Sequence, residues 1–272
     1  MTRFATPSRP KATVRQRLMG GFGEILITLG ILLILFVGWE LWWTNLDADR
    51  AQTQVTSEFL KDLKVAAPNS SDAPEKNPNQ NPNENSNEGD EQGEEQSKDF
   101  GPAPITAIPG GETFGIFYIP RFGSNFAHPV TNGVGMDVLN TVGIGHYPDT
   151  QSPGELGNFA VAAHRQTHGQ VFWDIDKFQD GDKIYLQTRK GFYTYEWRST
   201  EIVSPSAGDV LFPVPHRPGV KPTTSILTMT SCHPPFTTRM RIIAYSELES
   251  WRPADAGAPA EIADLVQKTM GN

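Results

Sequence analysis

Ser225-Ile226-Leu227-Thr228-Met229-Thr230-Ser231-Cys232 reads as a β-strand, rich in β-branched and apolar residues, and it ends on the only cysteine in the chain. Nine residues later Arg241 opens a second apolar run, Ile242-Ile243-Ala244-Tyr245, and a hairpin-like return brings that run beside the first. An exported protein usually pairs its cysteines or has none, so a single thiol flanked by polar residues reads as a nucleophile. The competing reading is a small buried hydrophobe. A guanidinium at Arg241 is always charged and offers a fork of donors to a developing oxyanion or to a peptide carbonyl. Arg239 stands two residues earlier and would share its face on a strand, and a solvated surface charge is the plain alternative for either arginine.

Outward from this pair, the chain between about Ile105 and Trp251 is long enough for one domain with a real core. Further strands are expected at Thr113–Ile119, Asn125–Val130, Asn158–Ala163, Lys183–Thr188 and Gly191–Val203, all short and bounded by Gly, Pro, Asn or Asp. Lys183 to Tyr195 reads as a hairpin turning at Arg189-Lys190-Gly191. Short helical turns are expected at Met136–Leu139 and Val171–Phe178, and a helix in the tail from Ala260 to Met270. With no long amphipathic helix expected to cover an open sheet, the fold class is all-β and a closed or nearly closed barrel.

A thiol nucleophile needs a proton carrier, and six histidines are available. His164 ends the apolar run Phe159-Ala-Val-Ala-Ala163 and precedes polar Arg165-Gln166-Thr167, which puts it at a strand end facing a loop, where sites are commonly built. His168 is a geometric substitute. His233 is next to Cys232 in sequence, but consecutive strand residues point to opposite faces.

The N-terminal part suggests export. Residues Ile25 to Gly38 carry no charge, and with Trp39, Leu41, Trp42 and Trp43 they make a helix of about 19 residues, about 28 Å long and just enough to span a bilayer. Arg3, Arg9, Lys11, Arg15 and Arg17 precede it without an acidic residue, which predicts a cytoplasmic N-terminus and an external remainder. A cleaved signal peptide would need small residues after the run, where Leu41-Trp42-Trp43-Thr44 stands instead. Between Asp72 and Asp99 nine carboxylates face two lysines, so most of the net charge of −8 lies there. The Asn/Glu/Pro-rich composition of residues 77–96 predicts disorder. A coil over 45–104 would hold the domain about 40 to 45 Å from the membrane. The remainder from Phe100 has sixteen acids and thirteen bases, a balance that argues against a nucleic-acid partner. The expected division is therefore a basic N-terminus at 1–23, a signal anchor at 24–44, a disordered linker at 45–104, a catalytic domain at 105–251 and a tail at 252–272. No histidine or carboxylate spacing resembles a metal site, and no cofactor is expected.

Three segments together resemble the sortases, cysteine transpeptidases of Gram-positive bacteria, and most closely the class E type of actinobacteria. The family's Thr-Leu-x-Thr-Cys strand end is similar to Thr228-Met229-Thr230-Ser231-Cys232, with conservative Met and Ser replacements. Its Arg before an apolar strand corresponds to Arg241-Ile242-Ile243-Ala244, and its histidine segment to Asn158 through Ala163 with His164-Arg165. Gly145-His146-Tyr147-Pro148, Pro153-Gly154 and Gly157-Asn158 are also typical of the class. The resemblance implies an eight-stranded sortase-type barrel behind one transmembrane helix, in the cell membrane, with the catalytic domain outside. It implies Cys232 as nucleophile, His164 as acid and base, and Arg241 for substrate carbonyls and the oxyanion, with Tyr147 and Thr230 as substrate-binding candidates. The substrates would be secreted proteins ending in a Leu-Ala-x-Thr-Gly (LAXTG) or Leu-Pro-x-Thr-Gly (LPXTG) sorting signal. The acceptor would be lipid II or a peptidoglycan cross-bridge amine. Two other readings are an L,D-transpeptidase-like wall enzyme, whose Ser-x-Gly-Cys signature lacks its glycine here, and a catalytically silent β-barrel binding module.

Overall fold

The computed structural model describes residues 14–66, 100–105 and 108–271. Residues 1–13 of the expected basic N-terminus and 67–99 of the expected linker lie outside the described residues. Eight strands, β1 (Thr113–Tyr118), β2 (Ala127–Asn132), β3 (Ile144–His146), β4 (Gly157–Ala163), β5 (Lys183–Thr188), β6 (Gly191–Val203), β7 (Ser225–His233) and β8 (Met240–Pro253), close into a barrel. Around it the order is β1-β2-β3-β4-β7-β8-β6-β5. The expected strands are present with shifted ends. The exception is β3, three residues long and too short for an alternating pattern to register. Gly145 is required there, because a Cβ would sit 2.3 Å from the Gly133 carbonyl oxygen.

Two pairings position everything that follows. β4 lies parallel to β7, from Gly157 opposite Ser225 to Ala162 opposite Thr230. Parallel neighbours present their C-terminal ends at the same edge, so the residues after β4 and those ending β7 emerge together. β7 and β8 form an antiparallel pair in which Cys232 faces Arg241 directly. Phe159, Val161, Leu227, Met229, Ile242 and Ala244 point into the barrel with Phe117, Phe172 and Tyr195. Alternation then turns Asn158, Ala160, Ala162, Thr228, Thr230, Cys232 and Arg241 to the outer face. β4 is buried along its whole length, which a strand of this composition allows only if both its faces are covered.

Helix α1 (Val14–Ala66) corrects the expected division. Its large apolar side chains from Leu18 to Trp39, and Trp43, are exposed, and it includes a run long and apolar enough to cross a membrane. The helix does not give way to a coil at residue 45. Ala48, Gln52, Thr56, Phe59 and Leu60 are buried, a stripe at helical spacing. Phe59 and Leu60 pack with Ile116, Tyr118, Tyr185 and Phe192 on the outside of the barrel, joined by Ile262 and by Val266 of α3 (Ala263–Gly271). Burying two such side chains contributes about 3 to 6 kcal/mol, enough to hold a helix that polar composition alone would leave loose. Composition averaged over 45–104 hides the stripe, because the acidic tract dominates it and two stripe members, Gln52 and Thr56, are polar. The barrel therefore lies against the helix from Asn45 onward, not at the end of a 60-residue coil, and the tail docks beside it. A helix covering one face of the barrel, absent from the expectation, is thus present. α2 (Met136–Thr141) is one and a half turns preceding β3.

Candidate active site

At the shared edge of β4 and β7, Ser231 Oγ donates to the Ala163 carbonyl at 2.8 Å, locking the two strand ends together one residue before Cys232 and His164. The pairing register, extended by two residues, sets His164 beside Cys232 on the outer face. Cys232 is half-buried and unpaired by any disulfide. Across the antiparallel ladder Arg241, also half-buried, donates through Nη1 to the carbonyls of Thr238 at 3.1 Å and Met240 at 3.0 Å. These bonds fix one arm of the guanidinium against the β7–β8 turn. Arg239 is exposed. It lies in the bend before the paired part of the ladder.

His164 Nε2 is 2.8 Å from Oδ1 of Asn140, at the end of α2. An amide oxygen only accepts, so the imidazole donates from Nε2 and leaves Nδ1 as the base. Burial lowers the proton affinity of His164 below its ordinary value, and electrostatic repulsion between its protonated form and the His168 ring, 5.2 Å away centroid to centroid, lowers it further. A histidine kept neutral in this way is ready to accept a proton.

His233 is turned away from this group. Arg165 Nη1 donates to its Nδ1 at 2.7 Å, and Arg165 Nη2 pairs with Asp176 at 2.5 Å. The arginine side chain is only 2 % exposed, so this is a buried strut behind the site. The motif His164-Arg165 was legible as sequence, but not that the arginine points inward. Nor did any sequence signal mark Asn140, since a lone amide in a short helix has no distinguishing pattern.

The outer face of β4 and β7 is itself covered: Ala160, Ala162, Thr228 and Thr230 are all buried. Tyr147 follows β3 and its hydroxyl lies 3.1 Å from Thr230 Oγ1, so these two substrate-binding candidates meet two residues from Cys232. Asn158 Nδ2 donates to the carbonyls of Val210 and Phe212, and Thr228 donates to Asn158 Oδ1 at 2.6 Å. These bonds fasten the 204–224 segment over the outer face of β4. His216 in that segment sits between Glu201 and Asp209, at 2.6 and 2.7 Å, and the two carboxylates raise its proton affinity. Among the described residues no group of three or more His, Cys, Asp or Glu is arranged to hold a metal.

Residues 117–249 match the sortase domain family. Sortase SrtE1 of Streptomyces coelicolor is 31% identical over 87% of this chain and 59% of its own length, so the chain spans about three fifths of that relative. Sortase SrtE2 of the same organism is 30% identical over 83% of this chain and 80% of SrtE2. The crystal structure of S. coelicolor sortase E1 with a tripeptide in its active site aligns with a TM-score of 0.52 at 32% identity, covering 57% of this chain and 98% of that one. A closed eight-stranded barrel, a cysteine strand paired to an arginine strand, and these likenesses over most of the chain agree: the chain belongs to the sortase family of cysteine transpeptidases, with class E sortases among its relatives.

Proposed function

We propose that this protein is a membrane-anchored transpeptidase that cleaves LAXTG- or LPXTG-type sorting signals between Thr and Gly and joins the new carboxyl end to an amine of lipid II. The observation that carries the reading is the strand register, which sets Cys232 opposite Arg241 and brings the end of β4, one residue before His164, to the edge where β7 ends. The tripeptide held in the active site of S. coelicolor sortase E1 supports a peptide substrate at the matching site.

In this reading Cys232 Sγ attacks the Thr carbonyl carbon while its proton passes to His164 Nδ1. Arg241 donates to the carbonyl oxygen as it gains negative charge. The C–N bond to Gly breaks, His164 returns the proton to the leaving amine, and a thioester remains on Cys232. An acceptor amine then attacks the thioester and gives its proton to His164, the C–S bond breaks, and His164 passes the proton to the departing Cys232 sulfur to restore the thiol. The Asn140 bond keeps the ring oriented through both half-reactions. Tyr147 and Thr230, joined by their hydroxyls, would shape the pocket for the residue that distinguishes the two signals. The exposed apolar half of α1 would cross the membrane with the N-terminus in the cytoplasm, which holds the barrel in the leaflet where lipid-borne substrates lie.

The test uses the full chain in detergent micelles, quenched LAXTG and LPXTG peptides and a glycine-based amine, followed by intact mass spectrometry. A Cys232-linked acyl adduct and an amine-dependent product are expected. A folded sample that yields neither would reject the transpeptidase and favour a silent binding module.

A further inference from the structure

α1 continues past its apolar half and runs against the loop that follows His164. In that loop Thr167, His168, Gly169 and Gln170 all have positive φ, at 66°, 47°, 85° and 52°. Three of these four residues carry side chains, and such residues stay in this region only when their surroundings hold them.

The hold comes from α1. Gln52 Nε2 donates to the His168 carbonyl at 3.3 Å, and Asn45 Oδ1 accepts from the Gly169 N–H at 3.1 Å. A carbonyl only accepts, so the Gln52 amide orientation is set, and its Oε1 receives a bond from His128 Nδ1 at 2.9 Å. Gln52 is 3% exposed, and its two polar partners make a buried network between helix, barrel and loop. The approach is close enough that a Cβ at Gly169 would meet Gln52 Nε2 at 2.8 Å, and one at Gly143 at 2.9 Å. His168, carried by the clamped loop, packs its ring on that of His164.

We propose that Asn45 and Gln52 are positioning residues of the active site: by clamping the 167–170 loop to α1 they hold His168 against His164 and so orient the proton carrier. The proposal rests on the reading of His164 as acid and base. It makes the residues just past the apolar run a working part of the catalytic end rather than a spacer. The titratable and charged groups of this region are His168, whose ring packs on His164, Asp49 and His128 beside the α1 clamp, and Cys232 and Arg241 at the adjoining ends of β7 and β8. Of these, His168 lowers the His164 proton affinity through its charge, after burial. Releasing the loop removes both influences, so the His164 titration midpoint should rise.

The experiment compares the full chain in micelles with Gln52→Ala, Asn45→Ala and Asn45→Asp. Histidine NMR titration reads the His164 midpoint, and acyl-adduct formation against peptide concentration separates the maximal rate from KM. Gln52→Ala and Asn45→Ala are expected to raise the midpoint and to lower the maximal rate by on the order of tenfold, with KM little changed. Asn45→Asp keeps an acceptor for the Gly169 N–H and is expected to recover the rate. The proposal is overturned if folded Gln52→Ala and Asn45→Ala leave midpoint and rate as in the parent. It is equally overturned if the rate falls only in step with the melting temperature and Asn45→Asp recovers nothing. Should the parent form no adduct while the midpoint still moves in the variants, the clamp stands and the acyl-transfer reading fails.

Discussion

His146 and His164 stand at the ends of neighbouring strands, and each is bonded to a side-chain amide oxygen at 2.8 Å, from Asn132 and Asn140 respectively. Their surroundings give them opposite characters. His146 is 3% exposed, wedged against Phe114 and Phe159, and its second nitrogen is enclosed, 3.2 Å from both the Gln151 carbonyl oxygen and Thr150 Oγ1. Burial pushes its proton affinity down to about 4. His164 has only Nε2 hydrogen-bonded among the described residues, is half-buried, and lies beside Cys232. Two imidazoles with the same first partner thus divide by what the second nitrogen meets, one a brace and the other free for the proton-carrying role proposed for it.

The largest expected effect comes from Cys232→Ala, which should abolish the acyl adduct and leave the melting temperature near that of the parent. A surviving adduct would move the nucleophile elsewhere. The two histidines are then set against each other. His164→Ala should lower turnover by about 10²- to 10⁴-fold with a small change in stability. His146→Ala should cost on the order of 2–4 kcal/mol of stability, through the lost packing and the orphaned Asn132 oxygen. If both variants lose activity and stability in equal measure, the distinction collapses.

A pH series of melting temperatures tests the buried histidines without mutation. His128 and His146 titrate near 6.5 when unfolded and near 4 when folded, in both cases because burial disfavours the charged ring. Between those values the unfolded chain binds more protons, so stability should rise with pH across the window and be lost as pH falls from about 6.5 to about 4. The slope should approach about 1.4 kcal/mol per pH unit for each group. A flat profile there would mean that neither ring is held neutral. The smallest effect is assigned to Tyr147→Phe, which removes one hydrogen bond to Thr230, about 1 kcal/mol. The ratio of LAXTG to LPXTG cleavage should shift by no more than about tenfold. An unchanged ratio would take Tyr147 out of substrate selection.

The legible part of the molecule was its chemistry-bearing strands. The alternation in Ser225–Cys232 and Asn158–Ala163, and the hairpin at Arg189-Lys190, are local patterns, and the barrel contains all of them. What brings Cys232 and His164 together is a parallel pairing between strands more than sixty residues apart, which no local pattern encodes; only the resemblance of the motifs pointed to it. Asn140, Gln52 and Arg165 escaped notice because their roles depend on burial and partners rather than on residue type. The helix past residue 45 escaped for a similar reason, its buried stripe being part Gln and Thr.

The path of the chain around residues 67–99 has a mechanical consequence. On the near side of that segment Lys64 Nζ donates to the Met270 carbonyl, and Phe59 and Leu60 pack on Phe192. On the far side the Phe100 ring lies 5.9 Å from the Arg252 guanidinium, and Arg252 pairs with Phe192 in the β6–β8 ladder. Both ends of the acidic segment therefore meet one patch of the barrel. A pull between α1 and the barrel travels through their packed interface. A protease nick in the acidic tract would leave barrel and helix joined as two fragments, and only detergent or denaturant able to strip Phe59 and Leu60 from their pocket would part them.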